Sequence, residues 1–167
     1  MHAIIKKAAL AAALATVSSS AFAIDTNITL YANVDATLAF QKEDGSALDD
    51  IVTLTYQPGG RGLSPWRENT RIFSNDETKD IEVALGSDVE LIPNVGSPSA
   101  KRVPMTVSLN NMKLTTTAQD LLATQIFDGA ITGRSIVLPL VIEQTTAGDL
   151  ASAQYQGMAT IVMRQKP

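Results

Sequence analysis

Apolar and polar residues alternate along much of the chain, which is the pattern of β-strands that bury one face. The first alternating run covers residues 27–35, and its apolar face consists of Ile28, Leu30, Ala32 and Val34. Further alternating or apolar runs follow, and turn-forming residues separate most of them. These runs predict strands at 37–41, 51–56, 67–73, 81–85, 103–109, 136–142 and 155–163. Short strands separated by polar turns predict an all-β sandwich.

Two stretches break this pattern. Residues 57–65 are rich in glycine and proline, so we expect a loop there. Residues 116–124 place Ala118, Leu121 and Leu122 at helical spacing, behind threonines that can cap a helix. The sequence therefore predicts one short helix within the β fold.

The N-terminal residues have the pattern of a secretory signal peptide. Lys6 and Lys7 form a basic start, and residues 8–17 are small and apolar. That apolar stretch is shorter than the roughly 20 residues that cross a bilayer. An Ala-Phe-Ala sequence then ends at Ala23, so we expect cleavage between Ala23 and Ile24. Export to the periplasm would leave a mature chain of 167 − 23 = 144 residues.

The composition beyond this cleavage point narrows the range of functions. There is no cysteine, and the one histidine, His2, lies within the predicted signal peptide. Without the two leader lysines the charge is 11 basic against 17 acidic residues, or −6. Histidine and cysteine supply the usual general base and most zinc ligands, and nucleic-acid binding calls for basic patches. We therefore expect no catalysis, no cofactor, no metal site and no nucleic-acid partner.

Trp66, the single tryptophan, is the residue that favours a different function. An exposed tryptophan can stack against a sugar ring, so a secreted carbohydrate-binding module on the same fold is the alternative function. A lone aromatic residue is more often part of the core. An exported polysaccharide-acting enzyme is a further alternative, but no paired-carboxylate pattern supports it.

Six short motifs are spread along the chain. They are Ile-Asp-Thr-Asn-Ile-Thr-Leu at 24–30, Val-Thr-Leu-Thr-Tyr-Gln-Pro at 52–58, Trp-Arg at 66–67, Asn-Asp-Glu-Thr-Lys at 75–79, Leu-Thr-Thr-Thr-Ala at 114–118 and Tyr-Gln-Gly at 155–157. In order and spacing they resemble those of the major pilins of the colonisation factor antigen I type, the class 5 or alpha fimbriae, a family that includes cable pili. The family has a proline after its Val-Asp pair, where this chain has Ala36. The end of the N-terminal strand is therefore not marked by a residue of fixed φ.

The resemblance implies an immunoglobulin-like sandwich that lacks one strand and receives it from a neighbouring subunit. Residues 24–35 would be this donor strand, with Ile28, Leu30, Ala32 and Val34 as its anchors, and residues 36–167 would form the domain. Alternation alone favours pairing of residues 27–35 within their own domain, and the resemblance reverses that preference. On the last predicted strand, the residues expected to line the acceptor groove are Ala159, Ile161 and Met163.

The resemblance also implies a function and a set of partners. The chain would be the shaft subunit of a cell-surface fimbrium that supports adhesion, joined to identical subunits in a helical homopolymer. The expected partners in assembly are a periplasmic chaperone, an outer-membrane usher and a tip adhesin.

Overall fold

The computed structural model describes residues 38–96 and 98–167, and it builds them mainly from β-strands. The predicted signal peptide and donor strand, residues 1–35, lie outside the described residues. In chain order the elements are β1 Leu38–Lys42, β2 Tyr56–Gln57, β3 Gly62–Leu63, β4 Trp66–Ser74, β5 Ile81–Leu85, β6 Glu90–Gly96, β7 Val103–Leu109, β8 Met112–Lys113, β9 Gln119–Leu121, α1 Ala123–Ile126, β10 Leu138–Gln144, β11 Ala153–Gln156 and β12 Ile161–Gln165. The prediction of an all-β fold is confirmed.

The strands form a larger sheet, a smaller sheet and a short hairpin. The larger sheet has seven strands in the order β1–β4–β10–β7–β6–β11, with β8 paired to β7. The smaller sheet has three strands in the order β12–β5–β9, and β2 pairs with β3. Neighbouring strands are antiparallel throughout these sheets.

The core is formed by the inward-facing side chains of both sheets. In β5 and β7 every second residue is buried, as expected for strands with one covered face. These side chains pack in one cluster with the inner residues of β4 and β10. Completely buried members of the cluster are Ile72, Ile81, Val107, Leu109 and Leu138. The predicted strands at 67–73, 81–85, 103–109 and 136–142 are thereby confirmed in type and approximate position.

The predicted strand at 51–56 is wrong for all but its last residue, since only Tyr56 belongs to a strand. Exposure nevertheless alternates here, because Val52 and Leu54 are half-buried whereas Ile51 and Thr53 are exposed. The chain therefore has the side-chain pattern of a strand without pairing to any strand among the described residues. We call residues 50–55 the wall segment.

The predicted strand at 155–163 is two strands, β11 and β12, which belong to different sheets. The chain crosses between the sheets at Gly157, where an added Cβ would lie 2.3 Å from the carbonyl oxygen of Glu90. Only glycine allows so close an approach of two backbones. Alternation on both sides of this corner makes the two strands resemble one.

The predicted helix at 116–124 is also misplaced. Its centre forms β9, in which Leu121 pairs with Ile81 of β5. The helix itself starts later, at Ala123, whose amide donates to Asp80 Oδ1 at 2.8 Å. Pairing with the sheet has overridden the local helical spacing.

Among the described residues, no helix has the length and hydrophobicity needed to cross a membrane.

Two isoleucines allow a matched test of this core. Ile72→Ala should lower the free energy of unfolding by about 2–5 kcal/mol, because it opens a cavity at a side chain that is 0% exposed. Ile131→Ala removes the same atoms from a residue that is 53% exposed, and it should change the free energy of unfolding by less than about 0.5 kcal/mol. Denaturant titration of the mature protein measures both values, and equal losses would contradict the placement of Ile72.

Candidate functional site

An apolar groove of about 1000 Å³ opens beside the core. Its floor continues the inner face of the larger sheet, through Trp66 of β4 and Ile142 of β10, which are cross-strand neighbours. Farther along the same two strands, Ile72 and Leu138 are completely buried, whereas Trp66 and Ile142 are only half-buried. The groove is therefore the part of the core that the smaller sheet does not cover.

The wall segment borders one side of the groove, with Val52 and Leu54 turned toward it and Ile51 85% exposed. Its backbone makes one hydrogen bond to another described residue, from the amide of Ser64 to the carbonyl of Thr55 at 2.8 Å. Within the described part of the chain, the amides and carbonyls of residues 50–54 have no backbone partner. Among the described residues, this side of the groove is therefore an extended edge without a paired strand.

The opposite side is bordered by residues that lead into β12. One edge of β12 pairs with β5, and no other described strand pairs with its second edge. The predicted groove residues Ala159 and Ile161 both line the groove. Met163 lies two residues beyond Ile161 on the half-buried face of β12 and packs against the core, outside the groove lining.

The side chain of Asp149 connects the loop that precedes β11 to the β2–β3 hairpin, which follows the wall segment. Its Oδ1 accepts hydrogen bonds from the Tyr56 hydroxyl at 3.0 Å and from the Gly60 amide at 2.8 Å. Both hydrogen bonds lower the pKa of Asp149 below its ordinary value, and the bond from the Gly60 amide has the larger effect. The hydrogen bond between Tyr56 and Asp149 also raises the pKa of Tyr56, because the phenol O–H donates that bond to a carboxylate. No pattern along the sequence signals this contact.

The hairpin that carries Gly60 is tightly built, although its sequence predicts only a loop. Gly62 has φ +74°, and a Cβ there would lie 2.3 Å from Gln144 Oε1. The same Oε1 accepts a hydrogen bond from the Leu63 amide at 3.0 Å. The conformation at Gly62 therefore requires glycine for its backbone geometry and close packing rather than for flexibility.

A charged pair fixes the other end of the wall segment. Lys42 Nζ, on β1, lies 2.7 Å from Oδ1 of Asp49, the residue that precedes the segment. The hydrogen bond to Asp49 raises the pKa of Lys42. The Asp49 carboxylate remains partly exposed, as is typical of an acidic residue in a turn.

The groove is suited to bind an extended chain. It offers a mainly apolar floor between two unpaired borders, which is the arrangement that accepts an added β-strand. Among residues 38–96 and 98–167, no three or more His, Cys, Asp or Glu side chains come together as a metal site. Trp66 forms part of the floor and packs partly buried against the core, so it belongs to the apolar surface of the groove.

Comparison with known proteins gives a consistent result. The family model for CS1 type fimbrial major subunits matches residues 24–164. A CFA/I fimbrial subunit of Escherichia coli O78:H11 (strain H10407 / ETEC) is 34% identical over 165 residues, which cover 95% of this chain and 96% of that protein. A CS1 fimbrial subunit of Escherichia coli is 30% identical over 167 residues, with the same coverage. The solved CooA pilin subunit from enterotoxigenic Escherichia coli superimposes with a TM-score of 0.69 at 27% identity, over 77% of this chain and 87% of that one.

The lowered pKa of Asp149 predicts how its contribution to stability depends on pH. A carboxylate with a depressed pKa stabilises the fold above its ordinary value of 3.8, and the contribution is lost as the pH falls through the depressed pKa. The difference in unfolding free energy between the wild type and Asp149→Ala should therefore stay constant from pH 7 to about 4 and shrink below that. Denaturant titrations at a series of pH values measure it. A difference that disappears between about pH 7 and 5 would contradict a charged, hydrogen-bonded Asp149.

Proposed function

Because the chain belongs to the family of CS1 type fimbrial major subunits, we propose that it builds the fibre shaft by donor-strand exchange. Residues 24–35 of one copy would occupy the groove of the next copy. In this proposal residues 1–23 are the signal peptide and residues 36–167 form the receiving domain. The protein is a structural subunit of a cell-surface fimbrium, and we propose no enzymatic role for it.

The observation that carries this proposal is the groove with an unpaired edge on each side. Unpaired edges and exposed apolar floor are costly in water, and both are relieved by one inserted strand. The occupant must be extended and apolar on one face. Residues 27–35 meet both conditions in sequence, since Ile28, Leu30, Ala32 and Val34 alternate with polar residues.

The energy available from such an insertion is large enough to hold subunits together. Burial of Ile28, Leu30 and Val34 at about 1.5–3 kcal/mol each amounts to roughly 5–9 kcal/mol, and Ala32 adds less. Hydrogen bonds to the wall segment and to β12 would add to this and fix the register. A shift by one residue would turn every apolar side chain of the donor away from the floor.

The same geometry produces an open-ended fibre. Each copy would give one strand and receive one, so the donor and acceptor surfaces are different parts of the molecule. A contact of this head-to-tail kind generates a filament when its rotation does not close a ring. Identical subunits can therefore be added without limit.

The assembly partners follow from the exposed groove. A subunit with this surface is prone to aggregate, and we propose that a periplasmic chaperone covers the groove until a donor arrives. Cleavage after Ala23 would free the donor strand, an outer-membrane usher would receive the subunits, and a tip adhesin would end the fibre. The alternative of a carbohydrate-binding module is not favoured, because the matching family and relatives are fimbrial subunits.

A charge on the inner face of the donor should stop polymerisation. Leu30→Asp would place a carboxylate against the apolar floor, whereas Thr29→Asp places the same charge on the outer face. We expect Leu30→Asp to abolish fibres and heat-resistant multimers in detergent gels, and Thr29→Asp to retain both. Deletion of residues 24–35 should have the same effect as Leu30→Asp. Normal fibres from either defective variant would exclude residues 24–35 as the donor.

A pair of substitutions on β12 tests the acceptor. Ile161→Asp places a charge in the groove, whereas Val162→Asp changes the neighbouring residue, which is 49% exposed. The Ile161→Asp chain should still donate its N-terminal strand but should no longer accept one in its groove. The Leu30→Asp chain should do the reverse, so a mixture of the two variants should give dimers that grow no further. Size-exclusion chromatography separates dimers from polymers, and circular dichroism checks that both variants are folded. Val162→Asp should polymerise normally. Long polymers from that mixture, or from Ile161→Asp alone, would contradict this groove as the acceptor.

A further inference from the structure

The wall segment is held at its two ends and is free between them. Asp49, directly before the segment, pairs with Lys42, and Tyr56, directly after it, donates to Asp149. Between these contacts, the backbone of residues 50–54 makes no hydrogen bond to another described backbone group. Residues 50–54 pair with no described strand, so their course depends on contacts at the two ends: the Lys42–Asp49 pair at one end, and at the other the Ser64–Thr55 backbone bond, the β2–β3 pairing and the Tyr56–Asp149 hydrogen bond.

The Asp149 contact joins the end of the wall segment to a distant loop. Asp149 is 93 residues from Tyr56 and 89 from Gly60, and it lies in the loop that leads to β11. The residues that follow it, 150–153, also line the groove. One carboxylate oxygen therefore fixes the end of the wall segment relative to another part of the groove lining.

We propose that Asp149 is a positioning residue for fibre assembly, which holds the wall segment extended as a preformed edge for the incoming donor strand. This inference rests on the donor-strand exchange proposed above. It assigns a role to a side chain at the margin of the groove, where the donor's apolar anchors have no need to touch it.

The physical reason is preorganisation. Ordering a loose segment on binding costs conformational entropy, which lowers affinity and slows association when pairing must wait for the extended form. A segment that is already extended presents its amides and carbonyls to the donor at once. The lowered pKa of Asp149 keeps the carboxylate charged, and hence a strong acceptor, at neutral and mildly acidic pH.

The test uses the full mature chain carrying Leu30→Asp, which cannot donate but keeps an unaltered groove. A fluorescent synthetic peptide of residues 24–35 is added, and fluorescence anisotropy gives its association and dissociation rates. In this background, Asp149→Ala should slow association roughly tenfold, because two hydrogen bonds that fix the segment are lost. Asp149→Asn should restore most of the rate, since its amide oxygen can still accept from Tyr56 and Gly60. The association rate of Tyr56→Phe should lie between those of Asp149→Ala and Asp149→Asn.

Asp76 provides a matched control. Its carboxylate also accepts one amide and one hydroxyl, both from Thr78, at 3.0 and 2.6 Å, and its pKa is likewise lowered. It lies in a local turn outside the groove lining. Asp76→Ala should leave peptide association unchanged, whatever it does to the free energy of unfolding.

The outcomes separate this inference from the function on which it rests. If the peptide does not bind to the Leu30→Asp chain itself, the result contradicts the proposed function, donor-strand exchange, rather than the role of Asp149 alone. If it binds, and Asp149→Ala binds equally fast and tightly, the positioning role is wrong, even where the variant is less stable. Should Asp149→Ala not fold, Tyr56→Phe decides: slower association at unchanged unfolding free energy supports the role, and an unchanged rate overturns it.

Discussion

The edge of a β-sheet carries amides and carbonyls that require hydrogen-bond partners, and a groove beside it exposes apolar side chains that require cover. In this protein both requirements occur at the same place. The smaller sheet has three strands and cannot cover a larger sheet of seven. The inner face of β4 and β10 is therefore completely buried at Ile72 and Leu138 but only half-buried at Trp66 and Ile142. No strand among residues 38–96 and 98–167 covers this part of the face, and a single extended strand would do so.

The absence of cysteine makes this deficit important for stability. No disulfide can hold the incomplete sandwich together, so its stability depends on burial and hydrogen bonding. In the proposed assembly, a strand taken from another copy would bind the folded groove and not the unfolded chain, so folding and assembly would be thermodynamically linked. In the proposed fibre each subunit would be stabilised by its neighbour, and the link between subunits would also be part of each core.

Alternation of apolar and polar residues indicates that one face of an extended segment is buried. This information is sufficient to predict β4, β5, β7 and β10. It does not report the partner, so it predicts a strand in the wall segment although no described strand pairs there. It also continues across the corner at Gly157, where the chain changes sheets because two backbones approach closely. The predicted helix is wrong because pairing of Leu121 with β5 outweighs local spacing.

The groove is partly predictable for the same reason. Ala159 and Ile161 lie on the apolar face of the last alternating run, and both line the groove. Asp149 cannot be found in this way, since loops have no periodicity and its partners lie 89 and 93 residues away. Its position nevertheless resolves a conflict within the groove. An edge that accepts a strand must be both exposed and ordered, yet an exposed segment bearing Val52 and Leu54 would tend to collapse onto the apolar floor. In the proposed assembly, the side-chain contacts of Asp49 and Tyr56 would oppose that collapse and would leave the backbone of the wall segment available to the donor.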